Sequence, residues 1–254
     1  MKFFFKKRAQ ISIFIVSGVL ISGLILFLFL FNKDISFFKR PSSDPNLLIK
    51  RSIENSIKQN EEDFFKEKRF LEEFKIFYLY KEEKVPFSCY STEFYFPCVQ
   101  QSPLFIESIR KKMENKISRD LSRAILILKE DYENKGYSFE YDSFLFELIF
   151  EEQQISYNLK SEIKISKGET SFSVSSLNGK VKSSLPYLLR TAEAINNYES
   201  SFCEFDFMIW QALNRNVKIE RFRGGDQTKV YTLKSLDNKE IKFAIRTCVM
   251  PAGI

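Results

Sequence analysis

The sequence contains no histidine in its 254 residues, and it has only eight glycines and seven prolines. Without histidine, the chain has neither the Ser-His-Asp nor the Cys-His arrangement of hydrolases, and it lacks the commonest side-chain ligand of transition metals. The glycines form no phosphate-binding loop, because Gly224-Gly225 is the only adjacent pair. We therefore expect no catalytic residue, no metal site and no cofactor.

The large C-terminal part of the chain has no net charge. Residues 1–40 carry seven Lys or Arg and one Asp, which accounts for the whole excess of +6, whereas residues 41–254 carry 32 basic and 32 acidic side chains. A balanced surface lacks the electrostatic attraction to phosphate backbones that dominates nucleic-acid binding. We expect no nucleic-acid partner, and the basic excess belongs to the N-terminal end.

A run of 21 uncharged residues, 11–31, follows the short basic head MKFFFKKRAQ. At about 1.5 Å per residue, a helix of this length spans a hydrocarbon core of about 30 Å. The pattern predicts a transmembrane helix over 10–32, with membrane lipid as its partner and the basic N-terminus in the cytoplasm.

Three interpretations of this segment are open. A cleaved secretory signal peptide has an apolar core of about 7–15 residues followed by a small-residue cleavage site. Here the run is longer and ends in Phe31-Asn32-Lys33 without such a site. An uncleaved anchor fits the length. In the third interpretation, the cut falls before the apolar run, and residues 1–9 are a cleavable basic leader.

The residues that favour the third interpretation are the bases Lys6-Lys7-Arg8, the small residue Ala9, and Gln10 before the unbroken apolar run. This order resembles the class III signal peptides of archaeal pilins and archaellins over residues 1–32. The resemblance implies that a prepilin-type peptidase cuts between Ala9 and Gln10 on the cytoplasmic side and leaves the apolar helix as the assembly element. Bacterial type IV pilins usually carry Glu at the fifth mature position, which is Phe14 here, whereas archaeal members commonly lack it.

The apolar run also contains small residues suited to helix packing. Gly18 and Ser22 lie four residues apart, so they share one helix face and allow another helix to approach closely. Other pilin-like subunits are the partners that such a face would contact. The alternative is that Gly and Ser are simply tolerated in a membrane helix.

The four cysteines, Cys89, Cys98, Cys203 and Cys248, all lie beyond the apolar run. An even number favours two disulfides and hence a C-terminal domain outside the cell. We expect Cys89 to pair with Cys98 across a short loop, which leaves Cys203 to pair with Cys248. Four cysteines allow three connectivities, and the alternatives are four unpaired buried thiols or a zinc site without C-x-x-C spacing.

The pattern after the membrane segment predicts a linker over 33–46 and an extracytoplasmic α+β domain over 47–254, with a possible subdivision near residue 136. Antiparallel sheet with packed helices is the expected architecture. We expect the acidic run Glu61-Glu62-Asp63 to be solvated surface and Asn178-Gly179 to be a turn. Periodicity predicts helices over 47–69, 104–134, 185–198 and 205–213. It also predicts strands over 75–80, 217–223, 229–233 and 241–248, with three to four further strands within 137–176. Residues 84–102 are predicted to form a loop that contains Cys89 and Cys98.

These features lead to three hypotheses about function. The first is a surface-exposed pilin-like subunit of archaeal type, minor or accessory because a 214-residue head over 41–254 is large for a major subunit. The second is a non-enzymatic, single-pass envelope or binding protein whose helix is not cleaved. The third, a membrane-tethered enzyme, would require carboxylates that converge in an apolar pocket of the folded head.

Overall fold

The structure is a computed structural model that describes residues 44–68 and 74–251. The predicted leader, the predicted transmembrane helix and nearly all of the linker lie outside these residues. The described part is α+β, as the sequence predicts, and the residues from Pro45 onward form one compact unit.

The helices of this unit are α1 (Pro45–Lys66), α2 (Phe105–Asn134), α3 (Leu185–Phe202) and α4 (Phe207–Leu213). Its strands are β1 (Phe77–Tyr80), β2 (Glu83–Tyr90), β3 (Val99–Gln100), β4 (Ser138–Phe150), β5 (Gln154–Lys167), β6 (Thr170–Lys182), β7 (Val217–Arg223), β8 (Lys229–Ser235) and β9 (Glu240–Arg246).

Helices α1 and α2 pack against each other in opposite directions. Ser56 donates a hydrogen bond to Asp120 (3.1 Å). About two turns further along α1, Asp63 accepts a hydrogen bond from Lys116 (2.9 Å). Leu104, expected to begin the apolar stripe of α2, is instead 75% exposed because it lies just before the helix. The buried apolar residues recur every three to four positions, as burial of one helix face requires. They include Ile49, Ile53 and Ile57 in α1 and Ile109, Met113, Ile117, Leu121, Ile125 and Leu128 in α2.

Strands β4, β5 and β6 form an antiparallel three-stranded sheet, which we call the long sheet. Its alternating residues bury one face against the same core as α1 and α2. The turn expected at Asn178-Gly179 is wrong, because both residues lie within β6 and Gly179 pairs with Tyr157 of β5. A side chain at Gly179 would approach the Tyr157 ring closer than 3.0 Å, so glycine is needed where this ring crosses the strand.

The second sheet, which we call the mixed sheet, has the strand order β1-β2-β9-β8-β7, with β3 also paired to β2. The predicted antiparallel pairing is confirmed for β1 with β2, β2 with β3, β7 with β8 and β8 with β9, whereas β2 runs parallel to β9. The cysteine loop predicted over 84–102 is wrong in its first part, because residues 84–90, including Pro86, belong to β2. Pro86 is tolerated at the point where β2 stops pairing with β1 and begins pairing with β9 at Phe87, so the missing N–H interrupts little of either ladder.

The mixed sheet curls until its two edge strands meet. The ring of Tyr80 in β1 lies 4.9 Å from the ring of Phe222 in β7. Tyr78 lies against Gly224, where an added side chain would collide with the Tyr78 hydroxyl. The curled sheet encloses a small second core of Val85, Phe87, Val230 and Ala244.

Glu61 corrects another expectation, since it is buried instead of being part of a solvated face. Its side chain is 3% exposed and accepts hydrogen bonds from Ser183 (2.7 Å), which follows β6, and from Lys239 (2.8 Å), which precedes β9. A buried carboxylate requires such partners. One side chain of α1 is therefore bonded to the ends of both sheets.

Helix α4 is shorter and less buried than the apolar helix expected over 205–213. It begins at Phe207 because the Asp206 carboxylate accepts hydrogen bonds from the N–H groups of Met208 (3.1 Å) and Ile209 (3.0 Å), the role of a helix N-cap. None of its residues is fully buried. The apolar residues of this segment therefore mark a surface helix and not a core helix.

Candidate functional site

Four of the residues singled out from the sequence lie outside the described part of the chain. They are Ala9 and Gln10 at the predicted leader cleavage site and Gly18 and Ser22 on the predicted packing face. Between residues 44 and 251, excluding 69–73, the structure has no helix that is both long enough and apolar enough to cross a membrane. The leader and the anchor therefore stay predictions.

The four cysteines form two disulfides. Cys89 in β2 is joined to Cys98, just before β3, with Cα atoms 5.4 Å apart, and we call this the short-loop disulfide. Cys203, at the end of α3, is joined to Cys248, just after β9, with Cα atoms 5.6 Å apart, and we call this the long-loop disulfide. These are the pairs expected from the sequence. Cysteines joined in this way are neither free thiols nor zinc ligands.

Thr247 connects the surroundings of the two disulfides. Its hydroxyl oxygen accepts a hydrogen bond from the N–H of Cys98 (3.0 Å), and the hydroxyl donates to the carbonyl oxygen of Glu199 in α3 (3.2 Å). The N–H of Cys248 donates to the carbonyl oxygen of Phe96 (2.9 Å). The cysteine loop, the end of α3 and the segment after β9 are therefore held together by hydrogen bonds as well as by covalent bonds.

A buried ion pair lies beside the long-loop disulfide. The Lys229 ammonium group is almost inaccessible and donates to Glu199, to Glu204 and to the carbonyl oxygen of Cys203, each at 2.7 Å. Tyr231 donates to the other oxygen of Glu199, and both burial and the Glu199 charge raise the pKa of the tyrosine hydroxyl. All three protons of the ammonium group are used, so this cluster fixes structure and offers no free acid or base.

Glu204 is the half-exposed member of this cluster. Partial burial alone would raise its pKa, but hydrogen bonds from Lys229 and Arg221 lower it overall, so the carboxylate stays ionised. Arg221 and Glu204 form an ion pair, so each compensates the charge of the other.

The disulfide-bonded end of the domain also exposes large apolar side chains, and we call this surface the apolar end. It is formed by the cysteine loop, the last turn of α3 and the segment after β9. Its exposed residues are Phe94, Tyr95, Phe96, Val99, Tyr198, Phe202 and Met250. Sequence reasoning missed this surface, although the uncharged run Phe94-Tyr95-Phe96-Pro97 was a signal for it.

A cavity of about 410 Å³ lies between the end of α1, the start of β2 and the start of β9. Five lysines line it, but ion pairs with carboxylates compensate the charges of four of them. Lys242 contacts Glu83 (3.0 Å) and Glu240 (2.8 Å), and Lys239 contacts Glu61 (2.8 Å) and a neighbouring aspartate. The cavity therefore has little net charge to attract an anion, and we do not assign it a ligand.

No protein-family model matches the chain, and no curated protein or solved structure is significantly similar to it. In the described part of the chain, no group of three or more Cys, Asp or Glu side chains is arranged to hold a metal ion. The apolar end, whose segments the two disulfides join, is a candidate surface for contact with another molecule because its exposed side chains are large and apolar.

Proposed function

We propose that the protein is a membrane-anchored, surface-exposed subunit of the archaeal pilin-like type, in a minor or accessory role. In this proposal residues 10–32 span the lipid bilayer, a prepilin-type peptidase removes residues 1–9, and the α+β domain lies outside the cell. The protein would bind other subunits and would catalyse no reaction.

The observation that carries the proposal is the presence of two disulfides in the domain that follows the apolar run. Disulfides persist outside the cytoplasm and are rare inside it, where thiols are kept reduced. The basic head before the run favours the cytoplasmic side. A domain and a head on opposite sides of the membrane agree with a spanning segment between them.

The residue chemistry supports a non-enzymatic role. The chain has no histidine, and the buried carboxylates Glu61 and Glu199 are each bonded to a lysine and to a hydroxyl group. Carboxylates with all their partners in place hold the fold together and are poorly suited to transfer protons.

The alternative is an envelope or binding protein whose apolar helix is not cleaved. It is favoured by α1, which begins at Pro45 after the helix-start residues Ser43-Asp44 and so needs no continuous helix from the apolar run. The two functions share the same fold, so processing of the N-terminus distinguishes them.

The test is the N-terminal peptide of the protein isolated from its native membrane, identified by mass spectrometry. A mature chain that starts at Gln10 is expected. Replacing the small residue before the cut, Ala9→Leu, should retain the leader, whereas the control Lys2→Ala leaves Lys6 to Gln10 intact and should be processed. A wild-type chain that still starts at Met1 or Lys2 would exclude the pilin-like function and leave the uncleaved anchor.

A further inference from the structure

The apolar end has almost no charge. The three segments that form it, 91–99, 197–203 and 247–251, contain two charged residues, Glu93 and Glu199, and Glu199 is fully buried. The charged residues that border it form hydrogen bonds within the chain. Arg246 donates to the carbonyl oxygen of Ser91, and Glu204 accepts a hydrogen bond from Lys229. In a protein with 28% charged residues, this composition resembles the centre of a protein–protein interface.

The segments of the apolar end are also joined by covalent bonds and hydrogen bonds. The short-loop disulfide closes the segment that carries Phe94, Tyr95 and Phe96, and the long-loop disulfide fixes the last turn of α3 to the segment that carries Met250. Backbone hydrogen bonds of 2.9 Å join Tyr95 to Val249 and Cys248 to Phe96. A surface that is ordered before contact loses less conformational entropy on binding.

The exposed area is close to that of a stable contact. Its five aromatic residues are 45–71% exposed. At roughly 200 Å² for a whole aromatic side chain, they present on the order of 550 Å². Val99 and Met250, 70% and 59% exposed, extend this area towards the ~800 Å² per partner of a standard interface.

We propose that the apolar end pairs with the apolar end of a second copy of this chain. An uncharged surface can face its own copy across a two-fold axis without repulsion, apart from Glu93. Lipid is less suited to it, since the surface lacks the lysine and arginine residues that bind headgroups. The proposal rests on the proposed function in one respect: anchoring in one bilayer raises the effective concentration of copies.

The test is photo-crosslinking of the full-length protein in its native membrane, with p-benzoylphenylalanine in place of Phe202. The matched control carries the same residue in place of Leu236, which is 78% exposed against 71% for Phe202 but lies on the turn between β8 and β9. A covalent product of twice the mass of the single chain is expected at position 202 and not at 236. Adducts with lipid or with another protein alone, no product, or equal dimer at both positions would overturn the proposal.

A second experiment uses charge. Val99→Lys and Val99→Glu change an exposed residue, so both variants should fold, which unchanged thermal unfolding would verify. Each variant alone should dimerise at least ~10-fold more weakly than the unmodified chain, because a charge would then be desolvated within the contact. Equal dimerisation of all samples would place the contact elsewhere.

The failure of this pairing and the failure of the proposed function give different results. Extraction of the same membranes with alkaline carbonate reports anchoring independently of crosslinking. Protein that is retained in the membrane but yields no dimer would exclude the pairing and leave the anchor. Protein that is released but still crosslinks through position 202 would exclude the anchor and leave the pairing.

Discussion

The Lys229→Met substitution should be among the most destabilising changes in the domain. Lys229 is 1% exposed, and its ammonium group donates three hydrogen bonds of 2.7 Å, two of them to carboxylates. Methionine fills most of the same volume but donates nothing. The substitution would leave Glu199, which is completely buried, with a negative charge and only Tyr231 and the N–H of Phe205 as partners.

The magnitude follows from the burial of both partners. Removing one member of a buried ion pair costs about 3–5 kcal/mol, chiefly because the remaining charge stays desolvated. In a domain of this size, each kcal/mol lowers Tm by about 2–4 °C. We therefore expect Lys229→Met to lower Tm by roughly 6–20 °C.

The assay is equilibrium unfolding of the full-length protein in detergent, followed by circular dichroism and by the fluorescence of Trp210. This residue is the only tryptophan, and its ring lies 5.7 Å from Phe205, next to the cluster. The matched control is Lys218→Met. Lys218 forms an ion pair of 2.6 Å with Glu220, but both side chains are more than half exposed, so we expect a loss of at most ~1 kcal/mol.

The double variant Lys229→Met with Glu199→Gln tests the physical reason for the loss. It has no unpaired buried charge, so it should regain at least half of the stability that Lys229→Met loses. The reasoning is refuted if Lys229→Met resembles the Lys218→Met control, or if the double variant is no more stable than Lys229→Met alone.

Three further predictions follow from the fold. Replacing both cysteines of the long-loop disulfide with alanine should lower the free energy of unfolding by about 4 kcal/mol, and the same change in the short-loop disulfide should lower it by about 2.7 kcal/mol. The difference follows from the loop lengths, because the sequence separations are 45 and 9 residues. A denaturant titration that gives the opposite order would contradict the loop-entropy argument. Gly179→Ala should lower the free energy of unfolding by ~1–3 kcal/mol, because the added methyl group would collide with Tyr157. Gly225→Ala should change stability little, because a methyl group added there would meet no other part of the protein within 4 Å. Equal Tm shifts of the two variants would be inconsistent with the collision at Gly179. The hydrogen bond from Lys68 is the main reason that the pKa of Glu83 lies below its ordinary value, so the ionised carboxylate stabilises the fold above the unfolded-state pKa of about 4.3 and this stabilisation is lost as pH falls through the lower folded-state pKa. The Glu83→Gln variant should therefore lose less stability on acidification than the unmodified chain. Identical acid titrations of the two proteins would contradict this.

Helices α1, α2 and α3 could be predicted from the sequence because each has a repeating apolar face. The predicted bounds of 104–134 for α2 differ from the observed Phe105–Asn134 by one residue. Within α2 the buried stripe passes through Ile125 and not through the neighbouring Ala124, which is only partly buried. A helix is determined by contacts between residues close in sequence, so its pattern is local.

The mixed sheet could not be predicted in the same way. The parallel pairing of β2 with β9 joins Phe87 to Ala244, and no turn signal connects strands so far apart in the chain. Gly179 gave a strong turn signal, but its reason for being glycine is Tyr157, which lies on another strand. In both cases the deciding contact is remote in sequence.

The site was predictable only where its chemistry is visible in the sequence. The cysteines suggested their own pairing because their number and spacing are informative. Lys229 and Glu199 gave no signal, since a buried ion pair uses the same residue types as a solvated surface. The apolar end is formed by three segments that the fold brings together, and each of them alone is too short to be recognised as a surface.

The pairing of β2 with β9 has a consequence for the order in which the chain folds. Helices α1 and α2 and the long sheet involve residues up to 182, so they can assemble while the rest of the chain is still being synthesised. Strand β2 has to wait, because its central neighbour ends at residue 246. A nascent chain would therefore expose the apolar residues of β2 until its last segment arrives, and such long-range pairing is intrinsically slow. Chains that end just before β9, at residue 239 of 254, should accordingly be substrates for chaperones and proteases, even though most of the sequence is already present.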